Sequence, residues 1–130
     1  MQTDGDKAVV AKFLLQGLGE LNPEIVDEVF DPNHTLTSPE FGTQKIRGTE
    51  IIKSAIYEFR NEVGEIECTI QRQIEEGEWV ATSYTLSEAN EVHLGILFSR
   101  VVAGKITRSF VVARTVSVAE ALSSARKAFN

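Results

Sequence analysis

Hydrophobic residues recur with two different periods along this chain, and the change of period falls near residue 64. Before it, apolar positions such as Val10, Phe13 and Leu14 recur every three or four residues, which is the spacing of one helix face. Asn22-Pro23 is a favourable start for a second helix, because Asn caps the first turn and Pro fits the first helical position. Three helices are predicted on this basis: residues 7–18, 22–30 and 49–63.

After residue 64 the period becomes two, as in strands that have one buried and one wet face. A shorter β-prone run precedes the third helix, and Ser117 has capping-box spacing to Glu120 at the start of a short C-terminal helix. Helices followed by sequential strands with tight turns indicate an α+β fold with a mostly antiparallel sheet. Such a sheet can curl around three N-terminal helices and enclose a pocket. The predicted strands are residues 34–37, 66–74, 79–87, 92–102 and 106–115.

Composition narrows the class of protein. With 130 residues, 42% of them hydrophobic, residues 1–130 are predicted to form a single domain. The net charge of −6 argues against nucleic acid as a partner. One cysteine and two histidines predict no disulfide and no metal site. The polar N-terminus and the lack of a long apolar run predict a cytoplasmic protein that does not bind membranes.

Three local patterns carry a resemblance to a known family. They are SPEFGTQKIRGTEIIKSAI before and into the third helix, EEGEWVATSYTLS at an acidic turn, and RVVAGKITRSF around the last turn. In this order the chain resembles the SnoaL-like polyketide cyclase branch of the nuclear transport factor two-like superfamily. The resemblance covers roughly residues 7–122 and implies a cone-shaped half-barrel with an internal pocket. It also implies frequent homodimers packed through the sheet, and no obligatory cofactor.

The chain departs from the family pattern at positions that carry acid–base chemistry. Members of this fold often place a carboxylate just after the last-strand aromatic, where this chain has Val111, and a His or Asp before Ser-Pro, where it has Thr37. Three other residues are candidates for catalysis. His93 is a base suited to neutral pH, Glu88 is a second base, and Tyr84 is a hydrogen-bond donor to a carbonyl oxygen. Each of these three residues also has an alternative interpretation without a catalytic role: Tyr84 as a core residue, Glu88 as a solvated loop residue and His93 as a structural or surface residue. His34, after Asp31-Pro32, is interpreted as a turn residue.

Three functions remain open on the sequence. The first is binding of a small apolar molecule in the internal pocket, with catalysis unproven. The second is a cofactor-independent isomerase or cyclase, or an enzyme like an epoxide hydrolase, that acts on a polycyclic or terpenoid-like substrate. The third is a dimeric interaction module. The residues predicted to line the pocket are Phe41, Tyr57, Tyr84, Leu97, Ser109 and Val111.

Overall fold

The computed structural model describes residues 5–39, 42 and 44–129, and they form four helices and six strands in α+β order. The first helix passes without a break into a π-helical segment, Phe13–Leu18. The helices are α1 (Gly5–Lys12), α2 (Glu24–Val29), α3 (Glu50–Glu62) and α4 (Val118–Phe129). The strands are β1 (Phe30–Thr37), β2 (Ile46–Arg47), β3 (Glu67–Glu76), β4 (Trp79–Ser87), β5 (Glu91–Val102) and β6 (Lys105–Ser117).

The strands form one mixed sheet in the order β2-β1-β6-β5-β4-β3. Strands β3 to β6 are an antiparallel meander, whereas β1 pairs in parallel with β6. The sheet is curved and does not close, which gives the cone predicted from the sequence. No described helix is long and apolar enough to cross a membrane.

The core lies between the helices and one side of this sheet, which we call the inner face. Buried residues of α1, the π-helical segment, α2 and α3 pack there against alternate residues of β4 and β5. The opposite side, the outer face, carries the intervening residues. The principal inner-face residues are Val80, Thr82, Tyr84, Leu86, Leu97, Ser99 and Ile106.

Capping residues and turn residues in the sequence correctly indicated where two helices start and where the β5–β6 hairpin turns. The Asn22 side chain accepts a hydrogen bond from the Glu24 amide at 3.1 Å, and the Ser117 hydroxyl accepts one from the Glu120 amide, also at 3.1 Å. Both contacts satisfy amides that a helix start leaves unpaired. The β5–β6 hairpin turns through Ala103 (φ 51°) and Gly104 (φ 77°), the left-handed pair expected of a two-residue hairpin loop.

The sequence prediction was wrong at the end of the second helix and within β3. The second helix ends at Val29, and Phe30 already belongs to β1. In β3, a bulge between Ile70 and Arg72 reverses the alternation, so Ile74 points outward with 57% of its surface exposed. Gln73 turns inward instead, where its amide nitrogen donates to the Thr82 hydroxyl at 3.2 Å.

Candidate functional site

A groove of about 930 Å³ opens at the end of the cone where α3 ends and β3 begins. We call this end the open end. Three segments build the groove: the end of the π-helical segment with the turn after it, the α3–β3 connection, and the β4–β5 turn. Its lining residues are Leu15, Gly19, Glu20, Leu21, Glu62, Val63, Gly64, Glu65, Ile66, Glu67, Cys68, Ser87, Glu88, Ala89 and Asn90.

Turn geometry brings these segments together. Gly64 follows α3 with a φ of 83°, a conformation that side chains with a Cβ rarely adopt, and its amide donates to the Phe59 carbonyl at 3.2 Å. The chain therefore leaves α3 sharply and enters β3 along the edge of the groove. On the facing side the Glu88 amide donates to the Glu91 carbonyl at 3.0 Å and closes the β4–β5 turn.

At the rim of the groove, three side chains form a chain of hydrogen bonds. Nε2 of His93 lies 3.1 Å from Oε2 of Glu88, and Nδ1 lies 2.8 Å from the hydroxyl of Thr115. His93 and Glu88 are about equally sheltered, with 18% and 16% of their side chains exposed. The Phe59 ring packs edge-on against the imidazole at 5.7 Å. An imidazole held between a carboxylate and a hydroxyl can pass protons between them.

Around the β4–β5 turn, three side chains could each supply one ligand atom to a cation. One atom each of Glu88, Glu91 and His93 lie within 4.8 Å of one another. Carboxylate oxygen and imidazole nitrogen suit several divalent metals. Among the residues the structure describes, no other group of this kind was found.

Two of the three predicted catalytic residues, His93 and Glu88, thus lie in direct contact. Tyr84 lies elsewhere on the inner face, opposite Gly95 in the β4–β5 ladder, and only 7% of its surface is exposed. A Cβ on Gly95 would approach the hydroxyl oxygen of Tyr84 to 2.5 Å. The glycine therefore makes room for the tyrosine ring to lie across β5.

None of the five predicted pocket residues that the structure describes lines the groove. Leu97 and Ser109 are buried on the inner face, as Tyr84 is, and Val111 packs partly buried against the core. Tyr57 is 49% exposed on α3, with the Arg60 guanidinium 5.5 Å from its ring centre. Phe41 lies outside the described residues.

His34 is the feature that sequence reasoning missed. It is fully buried on β1, and its Nε2 lies 2.8 Å from the hydroxyl of Ser109. Within the described residues, its Nδ1 and the buried hydroxyl of Ser99 have no hydrogen-bond partner. Burial lowers the pKa of His34 to about 4, while the backbone of Gly48 and the charge of Asp31 oppose the shift only in part. The β-prone run that begins at His34 was the feature of the sequence that could have indicated a strand at this residue.

The outer face is apolar in its centre. Large hydrophobic side chains stand exposed on neighbouring strands, where β5 and β6 place Phe98 opposite Phe110, with ring centres 6.1 Å apart. At one edge, Arg108 lies 5.8 Å from the Trp79 ring centre. The exposed apolar residues of this face are Ile74, Trp79, Leu94, Ile96, Phe98, Phe110 and Val112.

Comparisons with known proteins agree with this architecture. Structures similar to this one include a proposed ketosteroid isomerase from Kribbella flavida DSM 17836 (TM-score 0.68, 20% identity, 82% of this chain and 76% of that chain). The proposed polyketide cyclase IdmH from Streptomyces antibioticus is similar at a TM-score of 0.70 and 14% identity, covering 82% of this chain and 90% of that chain. A proposed polyketide cyclase from Bacillus cereus ATCC 10987 is similar at a TM-score of 0.68 and 20% identity, covering 82% of this chain and 72% of that chain.

At such identities these likenesses establish the fold alone. No curated protein sequence matches the chain. The family model described as "SnoaL-like domain" matches residues 3–109, which is most of the sequence. The chain therefore belongs to the SnoaL-like domain family.

Proposed function

We propose that this protein binds a small molecule in the groove at the open end of the cone. The observation that supports this proposal is the groove itself, whose volume of about 930 Å³ lies in the range of ligand pockets. Leu21, Ile66 and Cys68 supply a partly buried apolar surface within it. The proposal moves the predicted binding site from the middle of the inner face to its open end.

A neutral tricyclic alcohol, dehydroabietinol, is a suitable probe because its size and apolar skeleton suit such a groove. We expect it to shift the amide NMR signals of the lining segments. Ala89→Trp places a large ring at the exposed β4–β5 turn of the groove and should abolish these shifts. Ala8→Trp, on an exposed position of α1 outside the lining, is the matched control. Shifts that survive Ala89→Trp would place binding elsewhere and contradict the proposal.

The second candidate is an acid–base enzyme that needs no cofactor, and the Glu88–His93 contact favours it. Glu88 lines the groove, so its carboxylate can take a proton from the carbon beside a ketone, while His93, itself held by Thr115, keeps the carboxylate in place. Return of that proton two carbons further on moves a double bond into conjugation. General acid–base catalysis of this type is worth about 10²–10⁴-fold in rate.

The enzyme is tested with androst-5-ene-3,17-dione, a β,γ-unsaturated ketone whose conjugated product is followed by ultraviolet absorbance. We expect Glu88→Gln to remove the activity, since the amide cannot accept the proton. Glu91→Gln alters a neighbouring exposed carboxylate outside the groove lining and is the control. Equal rates for both variants and the unmodified protein would rule Glu88 out as the base.

We also propose that the protein forms a homodimer through the outer face. Two copies could cover the exposed apolar residues of this face, such as Ile96 and Phe98. Stable interfaces bury about 800 Å² on each partner. Phe98→Glu should give a monomer in light scattering, whereas Tyr57→Glu, at an exposed aromatic of α3, should not. A wild-type protein that is monomeric at micromolar concentration would contradict the proposal.

A further inference from the structure

Among the described residues, the lining of the groove carries charge of one sign only. Five glutamates contribute to it, and no described Lys, Arg or His lies in the lining. We infer that the ligand is an apolar molecule that bears a protonated amine, an inference that rests on the proposed binding in this groove. The five are Glu20, Glu62, Glu65, Glu67 and Glu88.

These carboxylates do not belong to a single charged run on one solvated surface. Glu20 follows the π-helical segment, Glu88 lies in the β4–β5 turn, and the other three lie between the end of α3 and the start of β3. The chain thus brings negative charge to the groove from three separate segments. A concave surface lined by one sign of charge concentrates ligands of the opposite sign.

Little positive charge within the described structure offsets them. Four of the five make no ion pair with a described residue, and Glu88 meets only the imidazole of His93. Arg60 is held beside the groove, where its guanidinium donates to the Leu21 carbonyl and stacks on the Tyr57 ring. None of the ion pairs among the described residues joins Arg60 to a carboxylate of the lining, so these carboxylates remain available to a cation.

The apolar part of the lining decides what kind of cation fits. Leu15, Leu21, Val63, Ile66 and Cys68 share the groove with the carboxylates. A bare metal ion or a small polyamine would leave this apolar surface in water. A hydrocarbon body with one amine covers it and also brings the charge to the glutamates. A primary amine, like that of Lys, is protonated at neutral pH.

Three probes with one carbon skeleton test this inference: dehydroabietylamine, dehydroabietinol and dehydroabietic acid. Titrations followed by amide NMR should give the amine at least tenfold higher affinity than the alcohol. The acid should bind at least tenfold more weakly than the alcohol. At high salt the advantage of the amine should shrink, because salt screens charges exposed to water.

A matched pair of variants separates the charge of the groove from the charge of the whole chain. Glu65→Gln/Glu67→Gln removes two carboxylates from the lining, and Glu75→Gln/Glu76→Gln removes two from the opposite end of β3. All four side chains are exposed, so we expect both variants to fold. The first should lower the affinity for the amine about tenfold more than it changes the affinity for the alcohol. The second should change neither.

The outcomes also distinguish this inference from the function on which it rests. Equal affinity of the amine and the alcohol in the groove would overturn the inference and uphold small-molecule binding. An equal effect of the two double variants would show that net charge alone favours the amine, which also overturns the inference. If none of the three probes shifts the groove signals, the binding function itself is contradicted.

Discussion

The two histidines of this chain lie on the same curved sheet but in opposite surroundings. His34 is fully buried, and its ring meets the hydroxyl of Ser109 and the edge of Phe30. His93 lies at the rim of the groove, between the carboxylate of Glu88 and the hydroxyl of Thr115. Ser109 and Thr115 are six residues apart on β6, a separation of about 20 Å.

The comparison shows how position decides the role of a titratable group. Buried beside a neutral hydroxyl, His34 is held neutral and serves packing. At the open end, His93 has a carboxylate beside it and a groove within reach, so it can take part in proton transfer. Variants of His34 and His93 test this division between a structural and a functional histidine.

The largest effect is expected when the buried ring is removed. His34→Ala should lower the free energy of unfolding by about 4 kcal/mol, because it leaves a cavity and an unpaired buried hydroxyl. Denaturant unfolding monitored by circular dichroism measures the loss. In a cycle with Ser109→Ala, the double variant should lose less than the sum of the single variants. A loss below about 1 kcal/mol would contradict the structural role.

The second effect is acid sensitivity caused by the same ring. Because burial lowers the pKa of His34 from 6.5 to about 4, the unfolded chain binds a proton in this interval that the native protein does not. The free energy of unfolding should therefore fall as the pH drops from about 6.5 to about 4, by roughly 3 kcal/mol from this residue. His34→Gln lacks this contribution, so its stability should fall less over the same range. Parallel curves for the two proteins would show that His34 is not held neutral.

The two histidines also show what the sequence could and could not predict. The helices and the meander follow from periodicity, caps and turn residues, whereas the cone was implied by the family resemblance. His93 and Glu88 could be chosen as candidates because the alternation of residues along β5 and β4 places them on, or in line with, the inner face. Their contact could not be foreseen, since it depends on how the β4–β5 turn folds back.

His34 was misplaced for a different physical reason. Asp31-Pro32 is a strong turn signal, yet β1 starts at Phe30 and continues through the proline, with an irregularity in its pairing to β6. Burial of a polar ring depends on a partner distant in the chain, and local pattern does not contain that information. The groove likewise joins three separate segments, so no single stretch of sequence displays it.

The third prediction concerns the thiol in the groove. Burial raises the pKa of Cys68 to about 11, compared with 9.0 for an ordinary thiol. Since the thiolate is the reactive form, alkylation at pH 8 should be about a hundredfold slower than in the urea-unfolded chain. The rate should continue to rise toward pH 11, which separates the pKa effect from simple obstruction. A rate that levels off near pH 9 would show that the open end is fully wetted around this residue.

The smallest effect is expected at the other histidine. His93→Gln should change the free energy of unfolding by only about 1 kcal/mol, because its two hydrogen bonds lie in a partly exposed rim and glutamine can replace one of them. Glu88→Gln in the same background measures the coupling of the pair. If His93→Gln costs as much as His34→Ala, the rim is part of the core, and the His93–Glu88 contact serves stability rather than chemistry. A small loss leaves the pair available for the function proposed at the groove.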